Sequence, residues 1–308
     1  MNLNISKAAE LIRSGKLVAF PTETVYGLGA NALNAKAVQA IFKVKGRPAT
    51  SPLIVHVDSV AMAQSLVMHW PTSATLLCTA FWPGPLTLVL PKKSIVPDIV
   101  TAGLPSVGIR MPNHPIALAL IEAAKYPIAA PSANRFTELS PTTALHVQEA
   151  LGTQIDFILD GGPTQVGIES TVLSLMENRP QLLRPGMITQ AQMEAIIGPI
   201  DVSTHVDEGA HLSPGQHLQH YQPKTPLYLV QKEFQLRLGR GIYLGLTGKQ
   251  NGCDYYEMPK EPRMYAQKLY ALLHDVDQQH YDWIAVECPS QSPEWTGILD
   301  RLTRASYI

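Results

Sequence analysis

Apolar residues follow two spacings along the chain. Short unbroken runs such as LVAF, LIVHV, LTLVL and SVGIRM are typical of buried strands. Between them lie segments whose apolar residues return every three to four positions, which predicts amphipathic helices. These helices are predicted over residues 6–15, 35–44, 59–68, 72–81, 114–124, 143–151 and 189–197. Strands that alternate with helices in this way predict an α/β fold.

The periodic pattern stops over residues 201–224 and then resumes. The segment DVSTHVDEGAHLSPGQHLQHYQPK has little apolar periodicity and many polar and turn-forming residues, which is typical of a linker. Beyond it, PLYLV, GIYLGL and DWIAVECP predict strands, and residues 263–279 and 294–305 predict helices. We therefore predict a domain over 1–200, a linker over 201–224 and a smaller Rossmann-like α/β domain over 225–308.

Composition favours a globular protein of a reducing compartment. Of the 308 residues, 45% are hydrophobic, and the three cysteines form no C-x-x-C pair. The N-terminus is interrupted by charges, unlike a secretory signal, and the most apolar long segment, PIALALIEAAKYPIAAP, contains charges and prolines. These features predict a cytoplasmic protein that does not enter a membrane. The net charge of -1 gives no general electrostatic reason to expect nucleic-acid binding.

Several common nucleotide-binding and catalytic motifs are missing. The sequence has no G-x-x-x-x-G-K-[ST] loop and no G-x-S-x-G nucleophile elbow, so neither a phosphate loop nor a nucleophilic serine is predicted. GLGANA, residues 27–32, matches a dinucleotide-binding turn, but no acidic residue follows at the required distance. Glycines that serve a tight turn are the favoured interpretation. A metal site is disfavoured at the histidines of the linker, which lack a metal-binding frame: His205, His211, His217 and His220.

Basic residues follow several of the predicted elements. Lys45 and Arg47 lie in KGRP, Arg110 in GIRMP and Arg184 in LRPG, and hydroxyl groups accompany them in PSAN, SPT and EST. A single arginine of this kind most often caps a helix or pairs with a surface carboxylate, and a histidine such as His56 is most often a core residue. Several arginines at strand ends instead favour a multiply charged anionic ligand, because guanidinium binds carboxylate or phosphate through two bonds.

A series of motifs runs through residues 10–200 in the order PTETVYGLGANA, KGRP with PLIVHV, GPLTLVL, SVGIRMP, APSAN, SPT, DGGPTQVGIESTV and LRPG. In these motifs the chain resembles the YrdC-like family, and SPGQHLQHYQP with the second domain resembles its two-domain threonylcarbamoyl-AMP synthases. The resemblance implies a twisted mixed sheet with a concave, positively charged cavity. It also implies a nucleotidyltransferase that joins L-threonine, bicarbonate and ATP into threonylcarbamoyl-adenylate and releases pyrophosphate, for threonylcarbamoyladenosine modification of tRNA.

The resemblance further implies roles for individual residues. The charges that meet the phosphates in the catalytic centre are those of Lys45 and Arg47. Threonine contacts are implied for Thr24, His56, Arg110, the backbone at Ala130 and Ser170. ATP contacts are implied for Arg47, Ser51, Ser106, Ser132, Asn134, Ser140, Arg184 and Tyr221. Because Tyr221 lies in the linker, the linker would act as a lid over the nucleotide. Ser51 departs from the family pattern, which usually has asparagine at this position.

The resemblance also implies a cofactor and partners. Mg²⁺ is expected on the triphosphate, held by phosphate oxygens and water, so no protein ligand is assigned to it. The implied partners are L-threonine, bicarbonate, ATP and downstream tRNA threonylcarbamoyl transferase proteins, with weak tRNA binding as a further option.

Two other activities stay open as alternatives. Carbamoyl-adenylate chemistry of the hydrogenase-maturation type would use acylphosphatase and zinc-finger segments, which this sequence lacks. An RNA-binding module without chemistry would explain a basic cavity, although the sequence has no interleaved aromatic and basic residues. Salt-sensitive tRNA binding without pyrophosphate release would favour that module over an enzyme.

Overall fold

A computed structural model of the chain describes residues 3–202, 220–231 and 234–306. The first of these ranges forms a large sheet flanked by helices, and the other two form mainly a smaller sheet with two helices. Among the described residues, no helix is long and apolar enough to cross a membrane. Most of the predicted linker lies outside the described residues, and so do His205, His211 and His217.

Fourteen strands and ten α-helices are present in the described ranges. The strands are β1 (Val18–Phe20), β2 (Gly27–Asn31), β3 (Ile54–His56), β4 (Leu86–Pro91), β5 (Ser106–Arg110), β6 (Ile128–Ala129), β7 (Phe157–Ile158), β8 (Thr171–Ser174), β9 (Gln181–Arg184), β10 (Asp201–Val202), β11 (Leu227–Val230), β12 (Gly241–Gly245), β13 (Asp254–Glu257) and β14 (Trp283–Glu287). The helices are α1 (Leu3–Arg13), α2 (Ala35–Lys45), α3 (Val60–Leu66), α4 (Thr72–Phe81), α5 (Asp98–Thr101), α6 (Pro115–Ala124), α7 (Ala144–Leu151), α8 (Gln190–Ile197), α9 (Pro262–Asp277) and α10 (Thr296–Ala305).

The large sheet has ten strands in the order β10-β9-β8-β4-β5-β3-β6-β2-β1-β7. Its pairing is mixed: β3 runs parallel to β5, and β4 runs parallel to β8 but antiparallel to β5. The predicted α/β class with a mixed sheet is therefore confirmed. Several neighbours in the sheet, such as β8 and β4 or β3 and β6, are distant in the sequence, so loops from separate segments meet at one place.

Both faces of the large sheet are covered by helices. In β1, Val18 and Phe20 belong to a buried cluster that includes residues of α1 and α6. Ala19, between them, belongs to a different buried cluster that includes residues of α2 and α4. Successive strand residues point to opposite faces, so this strand is buried on both sides. Burial on both sides explains why such strands appear in the sequence as unbroken apolar runs.

Helix α2 ends where the basic segment KGRP begins. Its N-cap is Asn34, whose side chain accepts two backbone N–H bonds of the first turn. Its C-cap is Gly46, with a φ of 64°, the left-handed region that glycine enters without a steric penalty. The chain turns at this cap, so Lys45 and Arg47 on either side of it reach different loops.

GLGANA forms a strand, and the tight-turn interpretation of its glycines is wrong. β2 pairs antiparallel with β1 and with β6, and all its residues are buried. A Cβ on Gly29 would lie 2.7 Å from the Phe20 ring and 2.8 Å from Ile128. Neither Gly27 nor Gly29 has a positive φ. Close approach of neighbouring side chains therefore requires glycine at Gly29, whereas a turn conformation does not.

The small sheet has four parallel strands in the order β11-β14-β12-β13. Helix α9 connects β13 to β14, and α10 follows β14 after a short 3₁₀ turn. Parallel strands joined by helices form the smaller α/β unit that the sequence predicts, and this prediction is confirmed.

The large unit is residues 3–202, and the small unit is residues 220–231 and 234–306. Two helices of the small unit pack on loops of the large unit at glycine positions. A Cβ on Gly167, whose φ is 83°, would lie 2.3 Å from the carbonyl oxygen of Ala266 in α9. A Cβ on Gly297 in α10 would lie 2.8 Å from the backbone of Gly186. The interface also contains a buried apolar cluster, to which the large unit contributes Val25, Leu139 and Ile168. The two units therefore share one packed core at this junction.

We expect Gly297→Ala to lower the free energy of unfolding by about 1–3 kcal/mol, because the added methyl group would overlap with backbone that cannot move away cheaply. Denaturant unfolding followed by circular dichroism measures this change. Thr303→Ala, at an exposed position of the same helix, is the control, with an expected change below about 0.5 kcal/mol. Equal unfolding curves for Gly297→Ala and the unmodified protein would contradict the close docking of α10.

Candidate active site

A cleft lies where several strand ends of the large sheet meet the junction with the small unit. Its walls include His56, Arg110 and Arg184, the last residues of β3, β5 and β9. The register of β3 and β5 pairs His56 directly with Arg110. Arg47, just beyond α2, and Tyr221, just before β11, complete the cleft. Three buried arginines from distant segments thus converge on one space.

Arg110 is held by three different groups. Its Nε donates to the carbonyl oxygen of Gly84 at 3.1 Å, and one terminal nitrogen donates to the Thr24 hydroxyl at 2.9 Å. The other terminal nitrogen lies 2.6 Å from a carboxylate oxygen of Glu23, and both partners of this ion pair are buried. A guanidinium has five N–H donors, and the two hydrogen bonds occupy two of them. The amino group beside Glu23 forms an ion pair but no hydrogen bond among the described residues. The remaining donors are available to a further anion.

Ser170 joins the opposite wall of the cleft to the sheet. Its hydroxyl lies 2.8 Å from that of Thr87 and accepts from Arg184 at 3.2 Å. Nε of Arg184 donates to the carbonyl oxygen of Ser170 at 3.1 Å. Burial lowers the pKa of Arg184 below its ordinary value. A guanidinium titrates so far above neutral pH that a lowered pKa is compatible with a positive charge in the cleft.

The two basic residues of KGRP have different surroundings. Lys45 is buried, and its Nζ donates to the carbonyl oxygens of Ser132 and Asn134. Burial and the charge of Arg47 lower the pKa of Lys45 well below its ordinary value. Arg47 lines the cleft and donates to the carbonyl oxygen of Pro52 at 3.1 Å. Burial lowers its pKa to about 10, so Arg47 is positive at neutral pH. Lys45 therefore supports the PSAN loop, and Arg47 faces the ligand space.

His56 is an uncharged member of the cleft. Burial lowers its pKa from 6.5 to about 3, and the charge of Arg110 acts in the same direction. The ring packs edge-on against Phe20, with 6.0 Å between the centroids. At neutral pH this imidazole contributes shape and hydrogen-bonding capacity without adding a charge.

We expect the ring signals of His56 in NMR spectra to stay at the neutral position from pH 8 down to about pH 5, because its pKa is about 3. The unfolded chain takes up this proton near pH 6.5 and the folded chain only near pH 3. The contribution of the neutral ring to the free energy of unfolding is therefore complete above pH 6.5. It is lost as the pH falls from 6.5 towards 3. The spectrum of His56→Gln identifies the signal. A midpoint near pH 6.5 would contradict the burial of this ring.

Two family models match the chain. The model described as "Telomere recombination", which groups Sua5, YciO and YrdC proteins, matches residues 10–186. The model described as "Threonylcarbamoyl-AMP synthase, C-terminal domain" matches residues 188–306. The threonylcarbamoyl-AMP synthase of Bacillus subtilis is 43% identical to the chain, over 98% of this chain and 92% of that protein. The threonylcarbamoyl-AMP synthase of Pyrococcus abyssi is 41% identical, over 97% of this chain and 93% of that protein.

The chain belongs to the threonylcarbamoyl-AMP synthase family. The crystal structure of Sua5 from Pyrococcus abyssi complexed with L-threonine is similar to this chain, with a TM-score of 0.92 and 40% sequence identity. The similarity covers 98% of this chain and 94% of that one. The predicted two-domain, YrdC-like enzyme with a mixed sheet is therefore confirmed. The predicted nucleotidyltransferase activity, synthesis of threonylcarbamoyl-AMP for tRNA modification, is confirmed as well.

Many of the residues to which the family resemblance assigns a role line the cleft. They come from both predicted groups, the threonine contacts and the ATP contacts. The lining residues are Thr24, Arg47, His56, Arg110, Ala130, Ser132, Ser170, Arg184 and Tyr221. Their meeting in one space is compatible with both groups of predicted contacts, which stay predictions for each residue.

The other predicted residues lie behind the lining of the cleft. Lys45 is one of them, as described above. Ser51 accepts a hydrogen bond from Arg47, and Ser140 donates to a carboxylate oxygen of Glu169 at 2.5 Å. The amide of Asn134 donates to two carbonyl oxygens of its own loop. Ser106 borders a separate small cavity beside β3 and β4. In these positions the side chains of Ser51, Asn134 and Ser140 bond to lining residues or loops. ATP contacts by these three residues and by Ser106 stay predictions.

Sequence reasoning passed over the acidic residues of the same motifs. Glu23 precedes Thr24 in PTET and pairs with Arg110, and Glu169 precedes Ser170 in IEST and lines the cleft. Their position beside predicted threonine contacts was an available signal. Arg301 in α10 pairs with Glu169 at 2.7 Å from 132 positions away. No local pattern in the sequence distinguishes Arg301 from the exposed arginines of amphipathic helices.

Proposed function

We propose that the cleft binds L-threonine beside Arg110 and the triphosphate of ATP beside Arg47 and Arg184, and that threonylcarbamoyl-AMP forms between them. Convergence of these buried guanidinium groups with the hydroxyls of Thr24 and Ser170 is the observation that carries this assignment. Three guanidinium groups meet here, and the carboxylates near them are those of Glu23 and Glu169, so further anions from the substrates are favoured in the site.

On the threonine side, Arg110 is the carboxylate clamp. The contacts with Glu23, Thr24 and Gly84 fix its guanidinium and leave further N–H donors for a substrate carboxylate. Each charge-assisted hydrogen bond contributes about 1.5–3 kcal/mol. Thr24 and Ser170 add hydroxyl groups of suitable size for a small amino acid without adding charge. The complex of the Pyrococcus abyssi relative with L-threonine supports this substrate for the chain.

On the nucleotide side, Arg47, Arg184 and Ser132 form the wall that faces the phosphates. Tyr221 closes this side and is almost fully buried, and its hydroxyl has no hydrogen-bond partner among the described residues. An unpaired buried hydroxyl is costly, so a ligand atom that binds it is favoured. The segment carrying Tyr221 is the proposed lid over the nucleotide, because Tyr221 lines the cleft on this side.

The chemistry needs no nucleophilic side chain. The amine of threonine attacks bicarbonate, or the CO₂ that bicarbonate forms by losing hydroxide. A proton of the amine and this hydroxide leave as water, and a carbamate is formed. A carbamate oxygen then attacks the α-phosphorus in line, and the bond to the bridging oxygen breaks, so its electron pair leaves with pyrophosphate. Alignment of the reactants and neutralisation of the phosphates by Arg47 and Arg184 supply the catalysis.

We propose that Mg²⁺ binds together with ATP, on the triphosphate. Among the described residues, no group of three or more His, Cys, Asp or Glu side chains is arranged to hold a metal ion. Glu169, the acidic residue among the described residues that line the cleft, already binds Ser140, Tyr270 and Arg301. Phosphate oxygens and water are therefore the proposed ligands of Mg²⁺.

The proposed setting of the reaction is the cytoplasm, where the adenylate passes to tRNA threonylcarbamoyl transferase proteins. Cys78, Cys253 and Cys288 are free thiols, in agreement with a reducing compartment. Direct tRNA binding is proposed only as a weak interaction, since the net charge of the chain is -1.

Pyrophosphate release tests the proposal directly. The purified protein is incubated with ATP, Mg²⁺, bicarbonate and L-threonine, and each of these is left out in turn. We expect pyrophosphate only when all are present, and threonylcarbamoyl-AMP in a matching amount by mass spectrometry. Salt-sensitive binding of tRNA without pyrophosphate release would overturn the proposal and favour the RNA-binding alternative.

A further inference from the structure

Glu169 poses an electrostatic problem in the proposed nucleotide site. Its carboxylate lines the cleft and is buried, and a negative charge beside a triphosphate is unfavourable unless it is compensated. Burial raises the pKa of Glu169, but the charges of Arg301 and Arg184 and the hydrogen bond from Ser140 outweigh this effect, so the pKa lies below its ordinary value. The group is therefore ionised at neutral pH and requires a permanent partner.

That partner comes from the small unit. Arg301 in α10 is 0% exposed, and its Nε donates to Glu169 Oε2 at 2.7 Å. One terminal nitrogen donates to the backbone oxygen of Glu169 at 3.2 Å, and the other donates to the carbonyl oxygen of Pro185 at 3.0 Å and to Asp300 at 2.7 Å. One guanidinium thus binds the IEST loop before Ser170 and the LRPG loop just after Arg184.

Helix α9 of the small unit contacts the same group of residues. The Tyr270 hydroxyl donates to Glu169 Oε2 at 3.2 Å, and Nε2 of His274 lies 3.2 Å from the carbonyl oxygen of Ser140. The Tyr270 ring stacks on Tyr221, with 5.9 Å between the centroids. The guanidinium of Arg301 lies 5.3 Å from the centre of the same Tyr221 ring. The small unit therefore holds Glu169, Ser140 and the lid tyrosine together.

We propose that Arg301 is a positioning residue for the nucleotide, and that the small unit completes the active site through the pairing of Arg301 with Glu169. The inference rests on the proposed function, because it assigns the Ser140, Arg184 and Tyr221 side of the cleft to ATP. Arg301 neutralises Glu169, and Glu169 in turn orients the Ser140 hydroxyl through their 2.5 Å hydrogen bond. Arg301 does not line the cleft among the described residues, so it acts through Glu169 and Tyr221.

A purely structural role would not require this ion pair. Buried ion pairs stabilise folds little compared with apolar residues of the same volume, because desolvation of both charges opposes their attraction. The interface around Arg301 already has apolar packing, and Gly297, one turn earlier on α10, docks directly on the backbone of Gly186. The charge of Arg301 contacts the carboxylate of Glu169 in the wall of the cleft. Support of the nucleotide site therefore explains an arginine at this position.

The test separates the Michaelis constants for the two substrates. We expect Arg301→Met to raise the KM for ATP by about 10-fold or more, as loss of one charge-assisted contact predicts, and to change the KM for threonine by less than about 2-fold. Tyr270→Phe removes a single hydroxyl and keeps the ring, so it serves as a second variant that keeps its fold. For it we expect a smaller rise in the KM for ATP at an unchanged Tm.

A double-variant cycle tests the route through Glu169. If Arg301 acts on Ser140 through this carboxylate, Arg301→Met combined with Ser140→Ala raises the KM for ATP less than the product of the single effects. If the rise in the KM for ATP in the double variant equals the product of the two single rises, the route through Glu169 is overturned. Arg301→Lys keeps the charge but loses the planar fork, so partial recovery of the KM for ATP is expected.

Arg240→Met is the matched control, because it also removes an arginine and an ion pair of the small unit. Arg240 pairs with Asp254 at 3.1 Å, and both side chains are more than half exposed. We expect its kinetics to equal those of the unmodified protein. If the unmodified protein releases no pyrophosphate, the proposed function fails. If it is active but Arg301→Met and Tyr270→Phe leave the KM for ATP unchanged, only the role of Arg301 fails.

Discussion

Replacement of Arg110 by alanine is expected to weaken L-threonine binding by at least about 100-fold while ATP binding changes little. The substrate carboxylate would lose two charge-assisted hydrogen bonds of about 1.5–3 kcal/mol each. The proposed ATP contacts of Arg47 and Arg184 do not involve Arg110, whose hydrogen bonds go to Thr24 and Gly84 and whose ion pair is with Glu23. Calorimetric titration with each ligand separately measures both affinities.

The same substitution leaves Glu23 buried without its partner, so loss of folding has to be separated from loss of binding. An uncompensated buried charge costs about 3–5 kcal/mol. The double variant Arg110→Met with Glu23→Gln removes both charges, and we expect it to recover most of the stability but none of the threonine affinity. Arg179→Ala, which breaks an exposed ion pair with Asp201, is the control. Unchanged threonine affinity in the double variant would remove Arg110 from the site.

Truncation after Ile200 is expected to lower the rate of pyrophosphate release by at least about 100-fold, because two or more contacts on the nucleotide side are lost together. The shortened chain lacks Tyr221, and Glu169 loses both Arg301 and Tyr270. It also exposes the apolar residues that pack against α9 and α10. The groups around Arg110 all precede the cut, so threonine binding is expected to persist.

A second truncation, after Lys224, separates the lid from the small unit. This chain keeps Tyr221 but lacks Tyr270 and Arg301, which contact its ring. We expect it to be nearly as slow as the shorter chain, because a lid tyrosine without these neighbours has no fixed position. Single-turnover rates and the KM for ATP of both chains provide the comparison. If the chain truncated after Lys224 releases pyrophosphate at the normal rate, the whole effect belongs to the lid. If the chain truncated after Ile200 does so, neither the lid nor the small unit contributes to the reaction.

The helices and strands around the site follow from local sequence patterns. Helix α2 begins at the N-cap Asn34 and ends at the C-cap Gly46. Asparagine favours the N-cap through its side chain and glycine the C-cap through its backbone, and neither preference needs a tertiary contact. The strands that end at His56, Arg110 and Arg184 are readable as apolar runs. Local patterns failed at GLGANA, where Gly29 satisfies a packing constraint set by Phe20 of the preceding strand β1 and by Ile128 of the distant strand β6.

The basic and hydroxyl motifs, taken together, determine the family and its chemistry, and short-range preferences determine most of the secondary structure. Only the tertiary structure decides which of these side chains face the cleft. Arg110 reaches Thr24 across 86 positions, and Arg301 reaches Glu169 across 132. Such contacts depend on strand register and helix docking, where a shift of one residue turns a side chain to the opposite face. Lys45 and Arg47 are separated by a helix end instead: the chain turns at Gly46, so Lys45 lies under the PSAN loop while Arg47 lines the cleft.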